Sequence, residues 1–373
     1  MESYEKIYVN PSFLKSEHGE IACENCHGGD PKDPNWQTAH KGIIKDSTFP
    51  TAEEACGECH EEITATAKKS LHYTLAPFTE TIKTRANKKD TKILHEVMEA
   101  KDKHCASCHS SCGQCHISRP DYVDGGFLEG HLFQKKPPMD TTCASCHGGR
   151  VYAEFTGGND GYPGDVHYAK EEMTCMDCHT AAEMHADGSG VMTRFDLPQR
   201  PQCRKCHADA VSEKAKTKSH ITHRDKVACQ VCHAVASKNC FSCHVGTDTK
   251  GLPYYKCKKT VMLFRIGLNP NRSPQRPYEY VVLRHPPVDP RLFDSYVKNA
   301  LTGIDKLPTW KTATPHNIQR ITLQNKSCNN CHGKAGLFLQ KKDLPDWEQK
   351  ANARVVIPEG KIPKAIEEVG TRQ

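Results

Sequence analysis

The sequence predicts a mostly irregular, loop-rich fold with short α-helices, a small β-hairpin and little other regular secondary structure. Three observations lead there. Only 36% of the 373 residues are hydrophobic and the mean hydropathy is −0.69. Glycine and proline are abundant, at 25 and 23 residues. The 21 cysteines and 22 histidines are far in excess of an ordinary chain, and nearly all the cysteines fall into one repeated pattern. Composition alone describes a chain poorly able to bury a core. The cysteine pattern says what fills the interior instead.

That pattern is Cys-x-x-Cys-His, and it occurs ten times. The thiol pairs are Cys23 and Cys26, Cys56 and Cys59, Cys105 and Cys108, Cys112 and Cys115, Cys143 and Cys146, Cys175 and Cys178, Cys203 and Cys206, Cys229 and Cys232, Cys240 and Cys243, and Cys328 and Cys331. Each is followed directly by a histidine: His27, His60, His109, His116, His147, His179, His207, His233, His244 and His332. This pentad is the attachment site of haem c. Two thiols spaced by two residues reach the vinyl groups of one porphyrin, and the adjacent histidine binds the iron from the proximal side. A zinc ribbon or redox pair does not require histidine at that fixed offset. The sequence therefore calls for ten haem c groups, one per about 37 residues. The predicted core is a haem stack, with thioethers acting as covalent staples.

The densest stretch is Cys105 to His116, where only Ser110 and Ser111 separate two pentads. Their proximal histidines lie no more than about 25 Å apart on an extended chain. Two porphyrins held so closely must lie nearly in contact. From Cys23 to His244 nine sites follow one another at irregular spacing, which excludes a fixed-period solenoid. Short helices are expected over Thr51–His60, Lys89–His104 and Asp209–His223. Turn signals such as Gly125-Gly126, Pro137-Pro138 and Pro163-Gly164 fill the links. Residues 1–244 form a haem-dense region. Residues 245–373 form a haem-poor one, with a hairpin from Thr260–Leu268 and Tyr278–Arg284, the tenth pentad and a tail over 333–373. The hairpin reads as a small lid over the haem stack, in preference to a partner-binding edge, and the tail as a segment that wraps back or meets a neighbour.

Twelve histidines remain outside the pentads. Ten are the expected distal iron ligands: His18, His40, His72, His131, His167, His185, His220, His223, His285 and His316. His220 and His223 stand one helical turn apart and suit two different haems. His95 and His104 are set aside, the latter because it abuts Cys105. Met184 is the one methionine near a ligand position and reads as a neighbour of His185. Bis-histidine ligation fills both axial positions, so it suits electron transfer and leaves no iron open to substrate. No catalytic residue is assigned. Cys257 is the odd thiol, read as free or as part of an intermolecular disulfide. The outline Tyr254-Tyr255-Lys256-Cys257-Lys258 lacks the first cysteine of a Cys-x-x-Cys-Lys site.

The formal charge of +6 does not argue for nucleic acid. Propionates on ten haems add about −20 and ferric cores return about +10, giving roughly −4 overall. No apolar run is long enough to span a bilayer. Covalent haem is assembled outside the cytoplasm, so the chain is expected to be exported, to the periplasm or the cell surface. The Met1 segment is not a secretory signal, so the numbered chain reads as a processed form or as a fragment with its signal or anchor removed.

With pentads covering residues 23 to 332, the sequence resembles the multihaem c-type cytochromes of respiratory and extracellular electron transfer, here a decahaem one. The resemblance implies stacked haems in loop-rich protein, redox proteins or terminal electron acceptors as partners, and, for some members, self-polymerisation into extracellular nanowires. Hydroxylamine oxidoreductase and pentahaem nitrite reductase are similar in haem packing but keep one haem open. The nitrite reductases often do so through Cys-x-x-Cys-Lys, which is not intact here. The first expectation is thus an electron conduit. The alternative is an oxidoreductase acting on a small nitrogen or sulfur compound at one open haem.

Overall fold

A computed structural model describes residues 7–49, 52–105, 110–120, 123–159, 161–235, 240–260, 264–286 and 289–367, with 105, 240–244 and 255–260 described as backbone. It divides into two compact units that interleave along the chain. The first comprises Met1–Phe78, Cys105–Gly148 and Thr174–Arg200. The second comprises Thr79–His104, Gly149–Met173 and Pro201–Gln373. The division expected at residue 244 falls inside the second unit. The architecture is the expected one: short helices, small antiparallel sheets and much loop.

In the first unit most helices are a single turn, and side-chain caps offset the cost of so short a nucleus. The Ser70 hydroxyl accepts from Tyr73 N–H, Ser111 from Gln114 N–H and Thr180 from Glu183 N–H. The longest helix, Ala52–Ala67, runs beyond the expected Thr51–His60 and kinks at His60, the last residue of its pentad. Gly28 closes the helix Cys23–His27 at φ 69°, a conformation that favours glycine. Among the described residues of this unit, Ala76 and Pro120 are the sole buried apolar side chains.

The second unit is built differently. Strand β1 (Cys240–Thr247) pairs with β2 (Pro253–Thr260), and β3 (Phe264–Leu268), β4 (Tyr280–Arg284) and β5 (Lys311–Thr312) form a second antiparallel sheet. β3 and β4 are the expected hairpin, trimmed at its starts and in register from Phe264 opposite Arg284 to Leu268 opposite Tyr280. Positions 261–263 lie outside the described residues. The β1–β2 hairpin was not expected. It turns through Asp248–Gly251, where Asp248 Oδ1 accepts from the N–H groups of Lys250 and Leu252.

The β3–β4 sheet is no mere lid. Ile266, Val282 and Leu283 pack with Val231, Trp310, Phe338, Leu339, Val355 and Ile357 in one apolar cluster. The tail is part of this core: Leu339 N–H donates to Ile266 C=O at 2.9 Å, and Leu268 N–H to Val355 C=O at 2.9 Å. Gly267 permits that approach, since a Cβ there would lie 2.6 Å from Val355 O. A second cluster joins Val97 and Ala100 to Val245, Phe293, Ala300 and Leu301. Val97 and Ala100 lie on the helix Thr91–Cys105, capped by Asp90, close to the expected Lys89–His104. The expected helix Asp209–His223 is instead two, Ala208–Val211 and Lys218–His223, because the chain turns extended at Ser212. Among the described residues, no helix is long and apolar enough to cross a membrane.

Candidate haem-binding sites

Eight pentads lie in a turn of helix, beginning at Cys23, Cys56, Cys112, Cys143, Cys175, Cys203, Cys229 and Cys328. A helical turn puts positions three apart on one face, as two thiols serving one porphyrin edge require. Two pentads differ. Residues 106–109 lie outside the described residues, and Cys240–His244 opens strand β1 in extended backbone. In the register of that hairpin Cys257 stands opposite Cys243.

Among the described residues, seven motif histidines face a second imidazole, and in each of these pairs the partner comes from outside the pentads. In the first unit the pairs are His60 with His18, His27 with His131, His147 with His72 and His116 with His185. Their ring centroids are 6.2, 6.1, 6.3 and 6.1 Å apart. In the second unit His207 faces His167, His233 faces His220 and His332 faces His223, at 5.9, 6.0 and 6.1 Å. The spacing is too wide for stacking contact and too uniform for chance. A metal held between two imidazoles, with bonds of about 2 Å on each side and roughly 1 Å more to each ring centre, gives about 6 Å. The single turn Lys218–His223 thus serves two different motif histidines.

The ring nitrogens carry a second regularity. The Nδ1–H of His27 donates to Ile44 O, that of His116 to Gln134 O, that of His131 to Tyr8 O and that of His223 to Ser219 O, at 2.7–3.1 Å. His233 and His332 donate to Gln319 O and Lys364 O. His167 and His179 donate to carboxylates: Asp165 Oδ1 at 2.7 Å and Glu183 Oε2 at 2.9 Å. A carbonyl or carboxylate can only accept, so Nδ1 bears the proton and Nε2 is left as the metal-binding atom.

The other histidines sort themselves by the same criterion. His104 spends Nε2 on the Tyr296 hydroxyl at 2.8 Å. His285, expected as a distal ligand, has its Nε2 facing the buried Glu348 carboxylate at 3.0 and 3.1 Å, and its ring packs on Trp310. A motif histidine is not brought to it among the described residues. His40 anchors Nδ1 on Trp36 O at 2.6 Å and is exposed; His95 is exposed on its helix. His316 uses its backbone N–H to reach Glu154 Oε2 at 3.0 Å. The side chains of His109 and His244 lie outside the described residues.

Burial holds His18, His72, His185 and His220 below the ordinary histidine range, and the facing His60, His116 and His233 deepen the effect for His18, His185 and His220. These four are therefore neutral near pH 7, the form that binds metal. Burial also pushes the Cys115 and Cys232 thiols up to about 11. Thiols of neighbouring pentads meet: Cys143 bonds Cys175, and Cys229 bonds Cys203, lowering the first of each pair. Tyr278 OH stands 4.0 Å from Cys229 Sγ, beneath the Arg204 guanidinium of the preceding pentad. Among the described residues no three His, Cys, Asp or Glu side chains converge on one point. The donor set is built of opposed pairs, with thiols alongside, and these residues fit haem c.

Sequence reasoning missed Asp165 and Glu183. Glu183 had a local signal, the capping pattern Thr180-Ala-Ala-Glu183. Asp165 had only its place two residues before His167.

Residues 183–234 match the family model of cytochrome c554 and c-prime. That segment holds the pentads at Cys203 and Cys229 together with His185, His220 and His223. No curated protein and no solved structure matches the chain. The match supports a c-type cytochrome, with haem c as cofactor and electron transfer as the class of function.

Proposed function

We propose that the chain is an exported electron conduit. It carries haem c along its pentads, ten in the sequence, and passes electrons between redox proteins or to a terminal acceptor at the periplasm or cell surface. The observation that carries this reading is the set of seven opposed imidazole pairs at 5.9–6.3 Å. Haem c, when bound, supplies a one-electron couple at each site. The protein's part is to hold both axial nitrogens in place, through Nδ1 anchors that fix ring orientation and tautomer. With both positions filled by protein, a substrate has no vacant place on such a metal. That favours transfer over chemistry on a nitrogen or sulfur compound. His18 lies against His60 of the same chain, which favours a ligand supplied within the chain.

Electron paramagnetic resonance of the oxidised protein tests the reading. Low-spin ferric signals alone are expected. They should fall in two classes, since His18–His60 and His116–His185 are nearly parallel at 20° and 34°, whereas His72–His147 is crossed at 81°. A stoichiometric high-spin signal with turnover of nitrite or hydroxylamine would replace the conduit with the enzyme.

A further inference from the structure

We propose that Asp165 and Glu183 are positioning residues that lower the reduction potentials of the sites they serve, one in each unit, by charging the imidazole ligands they hold. The inference rests on the haem reading above and goes beyond it. It separates sites that the pentads make look alike.

The contrast lies in what each Nδ1–H meets. His27, His116, His131, His223, His233 and His332 all donate to neutral backbone carbonyls. His167 and His179 instead donate Nδ1–H to carboxylates. Both carboxylates are out of water, Asp165 at 3% and Glu183 at 9% exposure, so their charge is weakly screened.

Each is also rigidly held. Asp165 caps the helix Val166–Glu171, accepting from His167 N–H at 2.8 Å on Oδ1 and from Ile318 N–H at 2.8 Å on Oδ2. Glu183 sits in the first turn of the helix Ala181–His185, one helical turn past His179. His167 is opposed to the motif histidine His207 at 5.9 Å. His179 is itself a motif histidine. The Glu183 charge also reaches His72, which is opposed to His147.

A carboxylate on Nδ1–H draws the proton toward itself and makes the imidazole a stronger donor. A stronger donor beside a fixed negative charge favours ferric over ferrous iron. The backbone carbonyls that hold His27, His116, His131, His223, His233 and His332 carry no net charge and do less. The two carboxylate-held sites are therefore harder to reduce than sites held by carbonyls alone.

Potentiometric titration of the holoprotein, followed in the visible and by electron paramagnetic resonance, compares the native chain with Asp165→Asn and Glu183→Gln. Each substitution should make reduction of the affected site about tenfold more favourable, a rise of about 59 mV for one electron, with every signal still low-spin. Unmoved potentials with low-spin signals intact would overturn the tuning role. Conversion of a haem to high spin would also overturn it, since the carboxylate would then only hold the ring. Because Asp165→Asn removes one of two acceptor oxygens, Glu183→Gln, at the end of a helix, provides the reading if the first variant fails to accumulate. A colourless native protein would instead sink the haem reading, a result that cannot be confused with the others.

Discussion

The two units solve the problem of an interior in different ways. The first contains six of the ten pentads, and among its described residues only Ala76 and Pro120 are buried apolar side chains. The second contains four pentads and two apolar clusters, including Leu283, Leu339 and Val355 at 0% exposure. Where opposed imidazole pairs are dense, buried apolar side chains are few among the described residues, as the proposed haem core would require. Where the pairs thin out, a sheet and a wrapped tail restore a conventional core. The first unit's order should thus depend on its cofactors, and the second's on its sequence as well.

The sharpest break of this comparison is removal of the haem. In chain expressed without haem attachment, amide exchange should be unprotected over Ala52–Ala67 and Cys112–His116, while β3 and β4 keep slow amides. Protection in Ala52–Ala67 would show a side-chain core that the comparison denies. Next in size is loss of a ligand. His72→Ala should convert one low-spin iron to high spin, seen in the visible spectrum. His285→Ala should leave the spectrum alone and cost about 2 kcal/mol, by stranding the buried Glu348 carboxylate. Low-spin loss in His285→Ala would return that residue to the ligand set.

A third test addresses the second unit alone. Leu283→Ala should destabilise it by about 3 kcal/mol in denaturant, without altering axial ligation in the first. The smallest effect concerns a helix cap beside a pentad. The Thr174 N–H and hydroxyl, then Lys136, hold the Asp177 carboxyl at about 2. A folded value below the unfolded one, about 3.9, gives stability that is present above pH 4 and fades as pH falls toward 2. Asp177→Asn should therefore cost about 1 kcal/mol or less at neutral pH, since the group is partly exposed. The difference should vanish near pH 2. A difference that persists there would mean that the carboxyl acts by shape rather than charge.

Much of the site was legible because its chemistry is written locally. A pentad contains its own thiols and one imidazole, and a helical turn is short enough to be read from five residues. The His220 and His223 spacing likewise carried its meaning within one turn. What stayed hidden was non-local. Nothing near His285 signals Glu348, and nothing near His18 signals His60. The tail's apolar residues, Phe338-Leu339 and Val355-Val356-Ile357, are brief runs among charged neighbours. Their register against Ile266 and Leu268 is set by three-dimensional packing. The β1–β2 hairpin was missed because a pentad occupies its first strand, and the pattern was read as a binding motif alone.

The remoteness of the opposed ligands bears on how the molecule is made. An exported chain emerges from its amino end, so the pentad at Cys23 is available for haem attachment long before His131 has crossed. His18, by contrast, is already outside when His60 arrives. The second site can therefore be completed before the first, and the order of completion departs from the order of synthesis. Each late-arriving imidazole ties its stretch of polypeptide to an earlier one, so on this reading maturation starts near the amino end and returns to the first pentad only when His131 has crossed.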